Sequence, residues 1–185
     1  MTGNCSDAEM EKLMLALAEG ADDAFAQLEA LVLRCPADAR LHFLRGSLLI
    51  GAGRAIEAHA ALSEAVTLAP DYALARFQLG FFELTSGEPA RALRTWEPLD
   101  AQLPPDHYLV LFASGLRNLI EDRFEAAIVH LEAGVTANAE NLPLNGDMQL
   151  IIAECRKQTG AEETTDEASA TSLLLDQFAA RGTMH

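Results

Sequence analysis

The sequence predicts an all-α protein made of antiparallel helix pairs, and three observations carry that prediction. Markers recur at one period: Pro36, Pro70 and Pro104 stand 34 residues apart, and Gly46 and Gly80 share the step, with Gly115 35 further on. Gly53, Gly87 and Asp122, and likewise Ala58, Ala92 and Ala127, repeat the same steps of 34 and 35. A fixed period in this range is the signature of stacked supersecondary units. Each period also sets a small mid-helix residue against a large one on the next helix (Leu62, Trp96 or Leu131). Finally, 50% of the 185 residues are apolar, enough to bury a sizeable core and to exclude wholesale disorder.

Each marker has a physical reason. Glycine in a helix costs about 1 kcal/mol relative to alanine, so Gly46 and Gly80 are expected where two helices approach closely. Gly53 and Gly87 fit the turn inside each pair, where a residue of positive φ ends the first helix. The prolines end one pair before the next begins. The one-residue slip falls at Pro104-Pro105-Asp106-His107, where a loop absorbs it.

In chain order, residues 1–38 read as a diverged helical hairpin capping the stack, with helices from Asp7 to Glu19 and from Asp22 to Leu33. Residues 39–141 hold three repeats, at 39–72, 73–106 and 108–141. Pro89 is expected at the start of a second helix, where its missing N–H costs little. Pro98 falls late in that helix and should shorten or kink it, so the second repeat should end irregularly. Residues 142–160 are expected to supply a capping helix, with Asp147 as its N-cap and Met148, Ile151, Ile152 and Cys155 on one face. From 161 to 170 the chain is rich in Glu, Thr, Asp and Ala and reads as a solvated linker. A short helix is expected over 171–182, with Leu174, Leu175 and Phe178 on one face and Leu173 at its edge.

The segment from Ala39 to Pro70, with Gly46, Ala58 and Ala65 at its small-residue positions, resembles one unit of the tetratricopeptide repeat (TPR) family. Ala73 to Pro104 resembles a second, on Gly80 and Ala92, and Tyr108 to Asn141 a third, on Gly115, Ala127 and Gly134. Where an aromatic or leucine is usual stand His42, Arg76 and Leu111, and where a small residue is usual stands Leu99, so that His42, Arg76 and Leu99 depart from the pattern. The resemblance implies a right-handed superhelix of helix pairs, a TPR-type solenoid, with helical caps at both ends. The first helix of each pair would line the concave face: Arg40, Phe43, Ser47 and Ile50, then Leu74, Phe77, Phe81 and Leu84, then Leu109, Phe112, Leu116 and Leu119. Relatives that grip a terminal carboxylate carry Lys and Asn at such places; here they are mainly Phe, Leu and Ser, so an apolar lining is expected instead.

Charge narrows the partners. The 28 acidic residues outnumber 13 basic ones, for a net −15, a field that repels nucleic-acid phosphates and anionic lipid surfaces. Neither nucleic acid nor membrane is an expected partner, and no apolar run is long enough to span a bilayer. The N-terminus lacks a signal peptide's basic start and apolar core. Cys5, Cys35 and Cys155 are odd in number and widely spaced, which favours reduced thiols in a cytoplasmic protein. Arg in preference to Lys, with abundant Ala, points to a GC-rich bacterial genome.

The five histidines (42, 59, 107, 130 and 185) form no metal spacing with one another or with cysteine. Gly51-Ala-Gly53 lacks the Gly-Lys-Ser/Thr of a phosphate loop. No catalytic residue, metal or cofactor is expected. The expected function is a protein-interaction module, an adaptor holding an apolar or amphipathic protein segment in its concave groove. Two alternatives stand beside it. Three repeats behind a helical extension, an acidic balance and an apolar groove resemble the chaperones of type III secretion translocators. Alternatively, the chain self-assembles through its N-terminal cap or C-terminal tail, with Leu173, Leu174, Leu175 and Phe178 filling the groove.

Overall fold

Ser6 opens the first helix. Its hydroxyl accepts from the Glu9 N–H, while its own N–H donates to Glu9 Oε2 at 3.1 Å, a reciprocal box that satisfies two end donors. The computed structural model describes residues 3–160, so the expected linker and the helix carrying Leu173, Leu174, Leu175 and Phe178 lie outside the described residues. Among those described there are ten helices and no strand. They are α1 (Asp7–Ala18), α2 (Ala24–Arg34), α3 (Ala39–Gly51), α4 (Ala55–Leu68), α5 (Ala73–Thr85), α6 (Pro89–Trp96), α7 (Leu99–Gln102), α8 (Tyr108–Ile120), α9 (Phe124–Ala137) and α10 (Leu142–Gly160). Their contacts divide the chain into two units, Met1–Ala75 and Arg76–His185, with the boundary inside α5.

One turn recurs in four helix pairs. Gly20, Gly53, Gly87 and Asp122 have φ of 65°, 70°, 83° and 55°. In each turn the next residue's N–H reaches back five residues: Ala21 to Ala16 O, Arg54 to Leu49 O, Glu88 to Glu83 O and Arg123 to Asn118 O, at 2.9–3.0 Å. The positive-φ residue itself donates three residues back, to Leu17, Ile50, Leu84 and Leu119. These two bonds satisfy carbonyls that a helix end would leave orphaned.

Inside each pair the close approach is also repeated. A Cβ built on Gly46 would lie 2.6 Å from Leu62 Cγ, one on Gly80 2.6 Å from Trp96 Cε2, and one on Gly115 2.5 Å from Leu131 Cγ. Each large partner stands sixteen residues downstream of its glycine and is fully buried. A missing methyl on one helix thus makes the space that a Leu or Trp on the other occupies.

In the first unit α1 packs on α2, α2 on α3 and α3 on α4. Its N-terminal core joins Cys5, Met10, Leu13, Leu28, Leu31, Cys35 and Leu41. In the second unit α8 packs on α9, α9 on α10, and α6 and α7 on α8. Pro89 starts α6, as expected, and α6 ends at Trp96, with Pro98 serving as N-cap of the short α7. The helix is therefore cut short ahead of Pro98.

The N-cap expected at Asp147 is not found. The last helix begins five residues earlier, at Leu142, with Asp147 inside it. Buried Asn138 organises the turn instead: its Oδ1 accepts from the N–H groups of Glu140 and Asn141, and its Nδ2 donates to Asn141 O and Asn145 Oδ1. With the turn fixed by that side chain, the helix needs no later start.

Candidate functional site

The residues expected to line a groove fall into two groups. In the first unit, Arg40, Phe43, Ser47 and Ile50 on α3 and Leu74 at the start of α5 are all half-buried. Phe43 and Ile50 lie seven residues apart, two helical turns, so they share a face. The Phe43 ring tilts against Tyr72, with centroids 5.3 Å apart. Tyr72, unremarked in the sequence, extends this aromatic surface; burial pushes its phenol above the usual value, with Arg40 and Asp38 acting in opposite senses.

The polar members of this group are already engaged. Arg40 donates from Nε to Asp38 Oδ1 (3.0 Å), and from Nη2 to Asp38 Oδ2 (2.8 Å) and Cys5 O (3.0 Å), while Nη1 reaches Asp7 Oδ1 (3.1 Å). Its pKa rises through the Asp38 hydrogen bond, against desolvation, with further help from Asp7. Burial alone would raise the Asp38 carboxyl, but the Arg40 side chain and the N–H groups of Arg40 and Cys5 outweigh it and lower its pKa. Arg40 is thus a structural clamp rather than a ligand-binding cation. Ser47 Oγ donates to Phe43 O within its own helix. What remains for a partner is apolar: Phe43, Ile50 and Leu74.

In the second unit the expectation of an open apolar lining does not hold. Phe77, Phe81 and Leu84 on α5, and Leu109, Phe112, Leu116 and Leu119 on α8, are all at most 7% exposed. Phe77 lies 6.1 Å from both Trp96 and Phe112 and 6.2 Å from Phe81, measured between ring centroids. Trp96 Nε1 donates to Phe77 O at 3.1 Å, so the indole is both packed and satisfied. The Phe112 ring sits over Gly134, where a Cβ would lie 2.5 Å from Cε1. Phe77 and Phe112 fill the space between helices, and a partner would have to open the core to reach them.

Three of the described histidines make local contacts within the fold. A ring nitrogen of His42 lies 2.8 Å from Pro36 O, and one of His130 lies 2.8 Å from Ala126 O. His107 caps α8, its Nδ1 accepting from the Leu109 N–H at 3.2 Å. Among the described residues no three of His, Cys, Asp and Glu gather where they could hold a metal ion, and no helix is long and apolar enough to cross a membrane. Cys5, Cys35 and Cys155 are buried free thiols. Burial, first, and the neighbouring Cys35 push the Cys5 thiol up to about 12, and burial pushes Cys155 up to about 11; neither is a ready nucleophile.

Two clefts remain. One of about 440 Å³ lies between α1 and α2, lined among others by Glu9, Lys12, Gln27 and Arg34. The other, of about 430 Å³, is lined by Leu93, Arg94, Glu97, Asp100 and Arg117. In the latter, Arg117 grips both oxygens of Asp100 (3.0 and 2.8 Å) and donates to Trp96 O (2.9 Å). Both carry mixed charge without a nucleophile beside a base. In comparisons with known proteins, no family model and no curated protein matches the chain.

Proposed function

We propose that this chain is a protein-interaction module of the TPR type, its helix pairs stacked as a right-handed superhelix, that binds a partner segment and carries no chemistry of its own. The observation that carries the reading is the repeated joint: the glycine-to-large-residue contact at Gly46/Leu62, Gly80/Trp96 and Gly115/Leu131. In such a scaffold α3 keeps Phe43 and Ile50 half-open to a partner, whereas the corresponding residues of α8 are core. The surface we assign is the half-buried apolar face of α3 formed by Phe43 and Ile50 and extended by Tyr72 against Phe43, narrower than the twelve-residue row read from the sequence. Its chemistry fits an apolar or amphipathic segment, and the net −15 disfavours nucleic acid as the partner.

The test is affinity capture from a cell lysate with the full chain and with Phe43→Glu and Ile50→Glu, folding being checked by circular dichroism. Ile56→Glu, at a position 88% exposed, is the control. A charge placed in an apolar contact is expected to weaken a captured partner at least about tenfold, while the control leaves it unchanged. If both face variants hold the same partners as tightly as the parent, the reading fails.

A further inference from the structure

Cys5 and Cys35 are thirty residues apart in sequence, yet an antiparallel hairpin must bring its two ends together. Cys5 stands one residue before the N-cap of α1, and Cys35 is the C-cap of α2. Four sets of contacts hold these ends in place. The Cys5 N–H donates to Asp38 Oδ2 at 3.0 Å, and Arg40 Nη2 donates to Cys5 O at 3.0 Å. The Asp38 N–H donates to Cys35 O at 3.1 Å, and Arg34 pairs with Glu9. Both cysteines belong to one buried core cluster, and Asp38 bonds to both of them, through its carboxylate to the Cys5 N–H and through its own N–H to Cys35 O.

We propose that Cys5 and Cys35 are a thiol pair that closes reversibly to a disulfide, clasping the α1–α2 hairpin when the chain meets a small-molecule disulfide oxidant. The exchange balances in two steps. One cysteine, as thiolate, attacks the oxidant's S–S bond and expels one of its halves as a thiolate. The other cysteine then attacks the mixed disulfide and expels the second half. The two protons released by the cysteines go to the two departing thiolates, so the oxidant is reduced and the pair oxidised by two electrons.

The closed form resists the first step, because Cys5 is 4% and Cys35 8% exposed and burial keeps the Cys5 thiol protonated. Cys5 lies outside any helix, so breaking its two backbone hydrogen bonds frees it without unwinding α1. Oxidation is therefore gated by local opening of the segment before α1. Cys155, on α10 in the second unit, is not a member of that cluster and serves as the internal control.

The test incubates the full native chain with glutathione disulfide, quenches with acid, then alkylates in denaturant and weighs the product. The expected product has lost two hydrogens, carries no glutathione at residues 5 or 35, and alkylates at Cys155 alone; a peptide map shows Cys5 joined to Cys35. Closing a loop of this size is expected to raise the thermal midpoint by about 5–10 °C, reversibly with dithiothreitol. The shift should vanish in Cys5→Ser and in Cys35→Ser and persist in Cys155→Ser. Glutathione retained on Cys5 or Cys35 without the cross-link, or a cross-link that forms equally fast in urea, overturns the proposal. The mass measurement on the parent chain decides the matter even if a variant folds poorly.

Discussion

Asp122 occupies the turn position that glycine holds in the other three hairpins, with φ of 55°. An L-residue with a side chain pays about 1–2 kcal/mol for that conformation, so Asp122→Gly is expected to stabilise the protein by about 1 kcal/mol. The urea midpoint measures it, and a loss of stability would mean the aspartate side chain has a role that no contact accounts for. Glu9 provides a second test. Its carboxyl is lowered from about 4.5 to about 2, first by the Ser6 hydroxyl and then by Arg34. The folded value lies below the unfolded one, so the contribution is complete above pH 4.5 and fades as pH falls toward 2. The thermal-midpoint gap between the parent and Glu9→Gln should therefore be present at pH 7 and close by pH 2; a gap independent of pH would contradict the assignment. The turn positions at Gly53, Gly87 and Asp122 were legible as a period, because only a positive-φ position explains glycine recurring there. The pairing of Cys5 with Cys35 was not, since spacing along the chain does not say which ends a hairpin brings together.

The helices themselves differ in how plainly the sequence announced them. Pro98 foretold the break after Trp96, because a ring that removes an N–H and clashes with the preceding turn acts locally. The start of α10 was missed, because Asn138, four residues upstream and in no helix, fixes the turn through its side chain, and Asp147 looked like a better cap on residue type alone. Between α5 and α6 the contact rests on Trp96, fully buried beside Phe77 and hydrogen-bonded to its carbonyl. Trp96→Ala should cost about 3–5 kcal/mol. Trp96→Phe should cost less, losing the indole hydrogen bond while keeping most of the contact area. Because Trp96 is the single tryptophan, its emission reports directly on this joint: blue-shifted in the folded parent and red-shifted together with unfolding.

At the scale of the molecule, the excess of acid is spread as net −6 over residues 1–38, −5 over 39–141 and −4 over 142–185, so it is lightest per residue on the repeats. The apolar row on the first helices was legible as a pattern, but a pattern tells which residues share a face and not whether that face is covered. In the second unit the row is core: Phe112 lies over Gly134, and Phe77 meets Trp96 and Phe112. On α3 it stays half-open, and Arg40, which the pattern placed among the lining residues, closes on Asp38 instead. The whole account depends on one joint used three times, and the stability of four alanine variants tests that most directly. Gly46→Ala, Gly80→Ala and Gly115→Ala each push a methyl into a buried Leu or Trp, and each should lose about 1–3 kcal/mol in urea unfolding. Gly146→Ala, inside α10 with nothing within 4 Å of the new methyl, should instead gain up to about 1 kcal/mol from helix propensity. If the first three gained stability as the fourth does, the repeated joint would be contradicted.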